Sequence, residues 1–190
     1  MDTSDLPPGT DEARSAGSPT VPDPASPLTA SAFVAGLRPI PTELGPVADQ
    51  PSAGEPASDI VGSSPTGDAV EVCIGDIGGV VLVAFMATRC DGCEAFWQGF
   101  GGAGQPLLPP SVTPVIVTRG ADTVAPAEVR RLAASTGAVQ VIMSDDAWSD
   151  YRVFGYPFFV LVDASTRTVL AETVGFGWSD LIGLVRSSVP

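Results

Sequence analysis

The chain has 190 residues, 44% of them hydrophobic, enough for one compact domain with an apolar core and some chain to spare. Its formal net charge is −13 and the arginines beyond residue 60 are scattered rather than clustered, which argues against nucleic acid as a partner. No apolar run approaches the roughly 20 residues needed to span a bilayer and no charged-then-apolar leader opens the chain. The expectation is a soluble monomer, cytoplasmic at face value and of the cell envelope if an export signal or anchor belongs in front of it.

Met1 to Ala53 is proline-rich, holds Phe33 as its single aromatic residue, and carries more acidic residues than its two basic ones, Arg14 and Arg38. Such a stretch buries too little apolar surface to fold alone and reads as a disordered acidic tail or linker, with a short apolar turn around Ser31 to Leu37. All nine basic residues of the chain are Arg, a composition that points to a high-GC bacterial genome. From Gly54 the character changes. Val70 to Ile74 predicts a short strand, and Gly78-Gly79 precedes the apolar run from Val80, which has the length and the Val, Leu and Phe content of a central strand covered on both faces.

That run empties into Cys90-Asp91-Gly92-Cys93, where a helix begins. The helix is short, because Gly99, Gly101, Gly102 and Gly104 follow closely and Pro106, Pro109 and Pro110 forbid continuation. Val112 to Thr118 is the next strand, with the regular ladder expected after Pro114. Pro126 suits the first turn of a helix over about Ala127 to Ser135, stopped by Gly137. Val141 to Met143 predicts a strand and Asp145 to Tyr151 a short helix. Phe158 to Asp163 and Val169 to Val174 predict two strands around a polar turn, and Ser179 is expected to cap a closing helix to about Ser188. Strands alternating with helices, then a hairpin and a terminal helix, imply an α/β fold: a central mixed sheet with helices on both faces.

A buried strand that delivers two cysteines to a helix start is a redox arrangement. Unpaired N–H groups in the first turn and the positive end of the helix dipole favour a thiolate at Cys90, the expected nucleophile. Cys93, within the same turn, can attack a mixed disulfide at Cys90 and close an intramolecular disulfide. The competing reading is half of a zinc site. Four ligands are needed, and the chain has no His and one other cysteine, so the expectation is no metal and no cofactor beyond the Cys90–Cys93 pair. Cys73 reads as a small buried core residue, with a regulatory third thiol as the alternative, and Trp97, Trp148 and Trp178 as core aromatics, the alternative being that they flank the active-site groove.

The strand VVLVAFMATRC, the CDGC motif and the later VFGYPFFVLVD resemble the thioredoxin-like superfamily. The long stretch between Cys90 and Pro157 and the segment GEPASD from Gly54 are similar to the redoxin branch of TlpA-like bacterial thiol:disulfide oxidoreductases. The resemblance covers about Gly54 to Pro190. It implies that Cys90 is the nucleophilic cysteine, Cys93 the resolving one and Pro157 the family's cis-proline, with Tyr156 offering backbone groups to a bound substrate chain. Three positions depart from the family pattern. Arg89 replaces the usual Trp, contributing a charge that favours a thiolate and contacts substrate while Asp91 opposes it. Ala84 stands where many relatives carry a buried proton acceptor, leaving Glu94 as a weak substitute or, more simply, a first-turn carboxylate. Tyr156 is bulkier than the Thr or Val common before the proline.

The function this implies is a thiol:disulfide oxidoreductase acting on protein thiols and disulfides, recharged by an upstream redox partner. The alternative is a binding or adaptor module whose disulfide switches an interaction surface. A peroxidase of this fold would need a Thr where Ala87 stands, and a copper-delivery protein would be expected to add a His.

Overall fold

The apolar run becomes β3, Val80–Phe85, whose six residues are all buried. In a computed structural model, which describes residues 53–102, 107–175 and 177–189, this strand is the centre of a seven-stranded mixed sheet. The tail expected over residues 1–53 lies, Ala53 apart, outside the described residues. In chain order the strands are β1 (Ile60–Ser63), β2 (Ala69–Val72), β3, β4 (Val112–Thr118), β5 (Gln140–Met143), β6 (Phe158–Asp163) and β7 (Thr168–Val174). The helices are α1 (Asp91–Phe100), α2 (Pro126–Ala133), α3 (Asp145–Asp150) and α4 (Trp178–Ser188).

In space the strands run β2-β1-β5-β4-β3-β6-β7, with β3, β4 and β5 parallel and β6 antiparallel to β3. Alternation along β3 divides the core. Val81, Val83 and Phe85 face Val115, Val117, Trp148 and Tyr151, on the side of α3. Leu82 and Ala84 face Ile116, Phe96, Val129, Leu181 and Val185, on the side of α1, α2 and α4. The mixed sheet with helices on both faces is therefore as the sequence implies.

Element boundaries differ in instructive places. β1 was not expected: only Ile60 of its four residues is buried, and Gly62 lies against the Met143 carbonyl with no room for a side chain. The strand expected over Val70 to Ile74 stops at Val72, and Ile74–Asp76 turns into a 3₁₀ segment whose Ile74 N–H donates to Asp59 Oδ1 at 2.8 Å. Pairing of β4 with β3 begins at Val112, before Pro114, while pairing with β5 begins only at Val115. Pro114 thus sits where the sheet has a neighbour on one side only, a position that tolerates a missing N–H. The closing helix starts at Trp178 with Gly177, not Ser179, as its cap. Starting there carries the Trp178 ring into the core, with its centre 6.0 Å from that of Phe96 and 5.2 Å from that of Phe100.

The Trp178 ring also occupies the space a side chain would take at Gly99, where a Cβ would fall 2.5 Å from Trp178 Cε3. Gly183, on the exposed face of α4, has nothing within 4 Å. Gly99→Ala is expected to destabilise by about 1–3 kcal/mol through overpacking. Gly183→Ala should stabilise by roughly 0.5–1 kcal/mol through helix propensity. Denaturant midpoints of the two variants check the pair.

Candidate active site

The site forms where β3 ends. Met86 N–H still donates to the Val117 carbonyl at 3.0 Å, and the chain then leaves the sheet through Ala87, Thr88 and Arg89. Cys90 is the N-cap of α1 in an extended conformation, and its Sγ accepts the Cys93 N–H at 3.1 Å. The two cysteines are joined in a disulfide, with Cα atoms 5.2 Å apart. Their exposure differs: Cys90 is half-buried, whereas Cys93 is completely buried among Phe96, Trp97 and Ala84. An incoming sulfur can therefore reach Cys90 but not Cys93, and the first-turn N–H is placed to stabilise negative charge on the Cys90 sulfur.

Pro157 comes to the same place from β6. The Tyr156–Pro157 bond is cis, and a Cβ built at Gly92 would lie 3.7 Å from Pro157 Cδ and 4.0 Å from Cys90 Sγ, so Gly92 has the proline ring and the sulfur as neighbours. The Pro157 carbonyl accepts from Gly175 N–H at 2.8 Å. Neither backbone polar group of Tyr156 has a partner among the described residues, and its side chain is 49% exposed.

Arg89 is also beside the disulfide, but its side chain, 88% exposed, turns to Glu128 on α2, with Nε 3.5 Å from Oε1. A pair this exposed contributes little stability. Asp91 and Glu94 are exposed first-turn carboxylates, and Glu94 accepts from Gln98 Nε2 at 3.4 Å, which fits the helix-dipole reading. Ala84 is fully buried, and the buried polar residues among those described are Thr118, Thr136 and Ser144, so no carboxylate stands behind the cysteines.

Two clefts meet at Thr88 and Arg89. One, about 350 Å³, contains Cys90 together with Asp91, Glu94, Trp97 and Arg131. The other, about 510 Å³, opens at the carboxyl ends of β3 and β4 and is lined by Met86, Arg119, Thr123, Trp148 and Tyr156 among others. The Arg119 guanidinium lies over the Trp148 ring, 4.4 Å from its centre, and reaches Asp145 Oδ1 at 3.3 Å. Thr123 Oγ1 donates to the other Asp145 oxygen at 2.9 Å. Sequence reasoning missed Arg119 and Arg131, whereas Trp97 and Trp148 are both core residues and cleft neighbours, so the two readings of these tryptophans meet. The legible signal was position: Arg119 directly follows a parallel strand, at the end where α/β sheets place ligands.

Cys73 does not lie in the core as expected. Val72 and Ile74 take the buried positions, so the residue between them points outward and is partly exposed. Its thiol lies 3.8 Å from Glu71 Oε1, and its pKa is raised above the ordinary 9.0 by desolvation, then by the negative charges of Glu71, Asp76 and Asp59. Among the described residues no group of three or more His, Cys, Asp or Glu could hold a metal ion, and no helix is long and apolar enough to cross a membrane.

No family model and no curated protein matches the chain. Solved structures do. The thioredoxin domain of a thiol-disulfide oxidoreductase from Bacteroides vulgatus is 19% identical, with a TM-score of 0.56, over 73% of this chain and 99% of that one. A thiol:disulfide interchange protein DsbE from Chlorobium tepidum is 25% identical, with a TM-score of 0.55, over 71% of this chain and 94% of that one. A thioredoxin family protein from Chlorobium tepidum TLS gives 19%, 0.53, 73% and 99%. The chain has the thioredoxin-like fold.

In the reduced protein Cys90 is expected to react first with an alkylating agent at neutral pH, and buried Cys93 last. Cys73, whose raised pKa keeps it protonated at neutral pH, should lag a free cysteine and accelerate about tenfold per pH unit until its pKa is passed. Glu71→Gln should shift that profile to lower pH. Mass-spectrometric labelling across pH 6–10 measures all three.

Proposed function

We propose that the protein is a thiol:disulfide oxidoreductase that exchanges disulfides with protein partners through Cys90 and Cys93. The observation that carries this reading is the asymmetry of the pair: a half-buried Cys90 at a helix start, bonded to a fully buried Cys93. In the reducing direction the Cys90 thiolate attacks one sulfur of a substrate disulfide. The substrate S–S bond breaks, a Cys90–substrate disulfide forms, and the departing substrate thiolate takes a proton. Cys93 then gives up its proton and attacks Cys90 Sγ. The mixed disulfide breaks, the second substrate thiolate leaves and is protonated, and Cys90–Cys93 is oxidised by the two electrons the substrate gained. An upstream dithiol partner reverses these steps to restore the reduced protein.

With no buried carboxylate beside Cys93 among the described residues, its proton must leave by way of solvent or the departing substrate sulfur. Pro157 lies against Gly92 beside Cys90, and the backbone of Tyr156 before it, unpaired among the described residues, can take the N–H and C=O groups of an extended substrate segment. Arg89 and the cleft beside it extend that surface. The names of the similar solved structures, thiol-disulfide oxidoreductase and thiol:disulfide interchange protein, agree with this chemistry. Residues 54–190 are proposed to be sufficient for it. Gly54 N–H donates to Val169 O at 2.8 Å and Val169 N–H to Glu55 O at 2.9 Å, so a cut at residue 53 spares the bonds that tie this end to β7.

Cys93→Ser should accumulate a mixed disulfide between Cys90 and a protein substrate, and Cys90→Ser should abolish exchange. Both are read by non-reducing electrophoresis and by reduction of a disulfide-bearing protein. A partner bound equally well by the Cys90→Ser, Cys93→Ser double variant, with no exchange by the parent, would establish the adaptor reading instead. A 54–190 fragment should unfold cooperatively and keep the exchange rate of the full chain.

A further inference from the structure

The larger cleft, about 510 Å³, is more than any one side chain fills, and it begins at Thr88 and Arg89, immediately before Cys90. Its apolar floor includes the Trp148 ring, which is 3% exposed, and Tyr156 stands edge-on to that ring with centres 5.9 Å apart. The cations that line it are already matched. Arg119 is held by Asp145 at 3.3 Å and by the Trp148 face, and Arg89 by Glu128 at 3.5 Å. A charged side chain entering here would meet balanced charge and would be desolvated without a partner of its own. A flat uncharged ring would find the exposed Tyr156 phenol and the plane of the Arg119 guanidinium, both of which favour aromatic neighbours, with the nearly covered Trp148 indole holding the two in place from behind.

From this we infer that the cleft is the specificity pocket for protein substrates, accepting an aromatic side chain that flanks the target cysteine while the neighbouring backbone pairs at Tyr156. The inference rests on the exchange reading for its biological meaning, but the pocket can be tested without any chemistry. Arg119 acts in it as a specificity residue: fixed on Trp148, it covers one face of the indole and presents its own plane to the cleft.

The test uses the full chain, oxidised, and short peptides in which Ser replaces the target Cys and the flanking residue is Phe, Gly or Glu. Binding is followed by tryptophan fluorescence and by two-dimensional NMR. The Phe peptide should bind roughly three- to tenfold more tightly than the Gly peptide, with Glu weakest. Shifts should centre on Tyr156 and Arg119. Arg119→Ala, and independently Arg119→Gln, should reduce the Phe preference to near parity. In parallel, Cys-containing peptides carried as disulfides of a small thiol are reduced by the dithiol form, each rate divided by that for hydroxyethyl disulfide. The same Phe preference should appear in this ratio. Equal binding of Phe and Gly peptides, tightest binding of Glu, or an intact Phe preference in both Arg119 variants overturns the pocket. Phe-selective binding without reduction of any disulfide keeps the pocket and refutes the oxidoreductase. Reduction at one rate for all peptides does the reverse.

Discussion

Burial of β3 on both faces and both edges is the constraint from which the rest follows. Its side chains alternate between two cores, and its backbone is paired from Val80 to Phe85 with β4 on one side and β6 on the other. Nothing polar can be accommodated along its length, so functional groups gather where it stops. There the chain must reverse onto the sheet, and the helix that does so presents its unpaired first-turn N–H groups at the strand's end. Cys90 occupies that junction as the cap residue, and Cys93, three residues on, is carried into the core formed by α1 and the sheet. One geometric requirement thus produces an accessible sulfur and an inaccessible one.

The same constraint explains how charge is handled. Because the interior beside the cysteines holds no carboxylate among the described residues, a proton on Cys93 has no internal acceptor, and the electrostatics around Cys90 come from the helix end and the rim. The rim contributes matched pairs, Arg89 with Glu128 and Arg119 with Asp145, all at least partly exposed. Such pairs are weak, and salt screens them. The helix N-terminus is local and fixed by the fold, so its contribution does not depend on those pairs, while Asp91 and Glu94 in the same turn oppose it.

Much of this was legible from the amino acids because two-sided burial writes an unbroken apolar run, which only a central strand can use, and because the CDGC motif directly follows it. The cis bond at Pro157, too, agrees with what the VFGYPFF segment implied. What could not be read depended on contacts between distant segments. β1 is a strand through its pairing with β2 and one bridge to β5, and its own residues carry almost no pattern. Ser179 is a better cap by residue type than Gly177, but the fit of Trp178 against Gly99 and Phe96 decides where α4 begins. Cys73 was misplaced because residue type favours burial, while the extended link between β2 and the 3₁₀ segment gives the inward positions to Val72 and Ile74 on either side of it. The cleft residues Arg119 and Trp148 come from opposite ends of the β4-to-α3 segment, and only the crossover to β5 brings them together.

The two clefts that meet at Arg89 also differ in what they can do to a bound polypeptide. The smaller one is lined by Cys90 and mixes two carboxylates and two arginines, Arg89 and Arg131, with the apolar Trp97 and Leu132. The larger one has an aromatic floor and lies one step removed. In the proposed exchange reaction, a substrate anchored in the second would have its cysteine held over the first, and an encounter between two proteins would become a positioned attack. Tyr156 stands between the two clefts, with its ring at the aromatic cleft and its backbone, unpaired among the described residues, next to the proline that lies against Gly92. A Thr or Val there would supply the same backbone groups but no ring to complete the wall with Trp148, so the bulk at Tyr156 is what joins the aromatic cleft to the turn that carries the cis-proline.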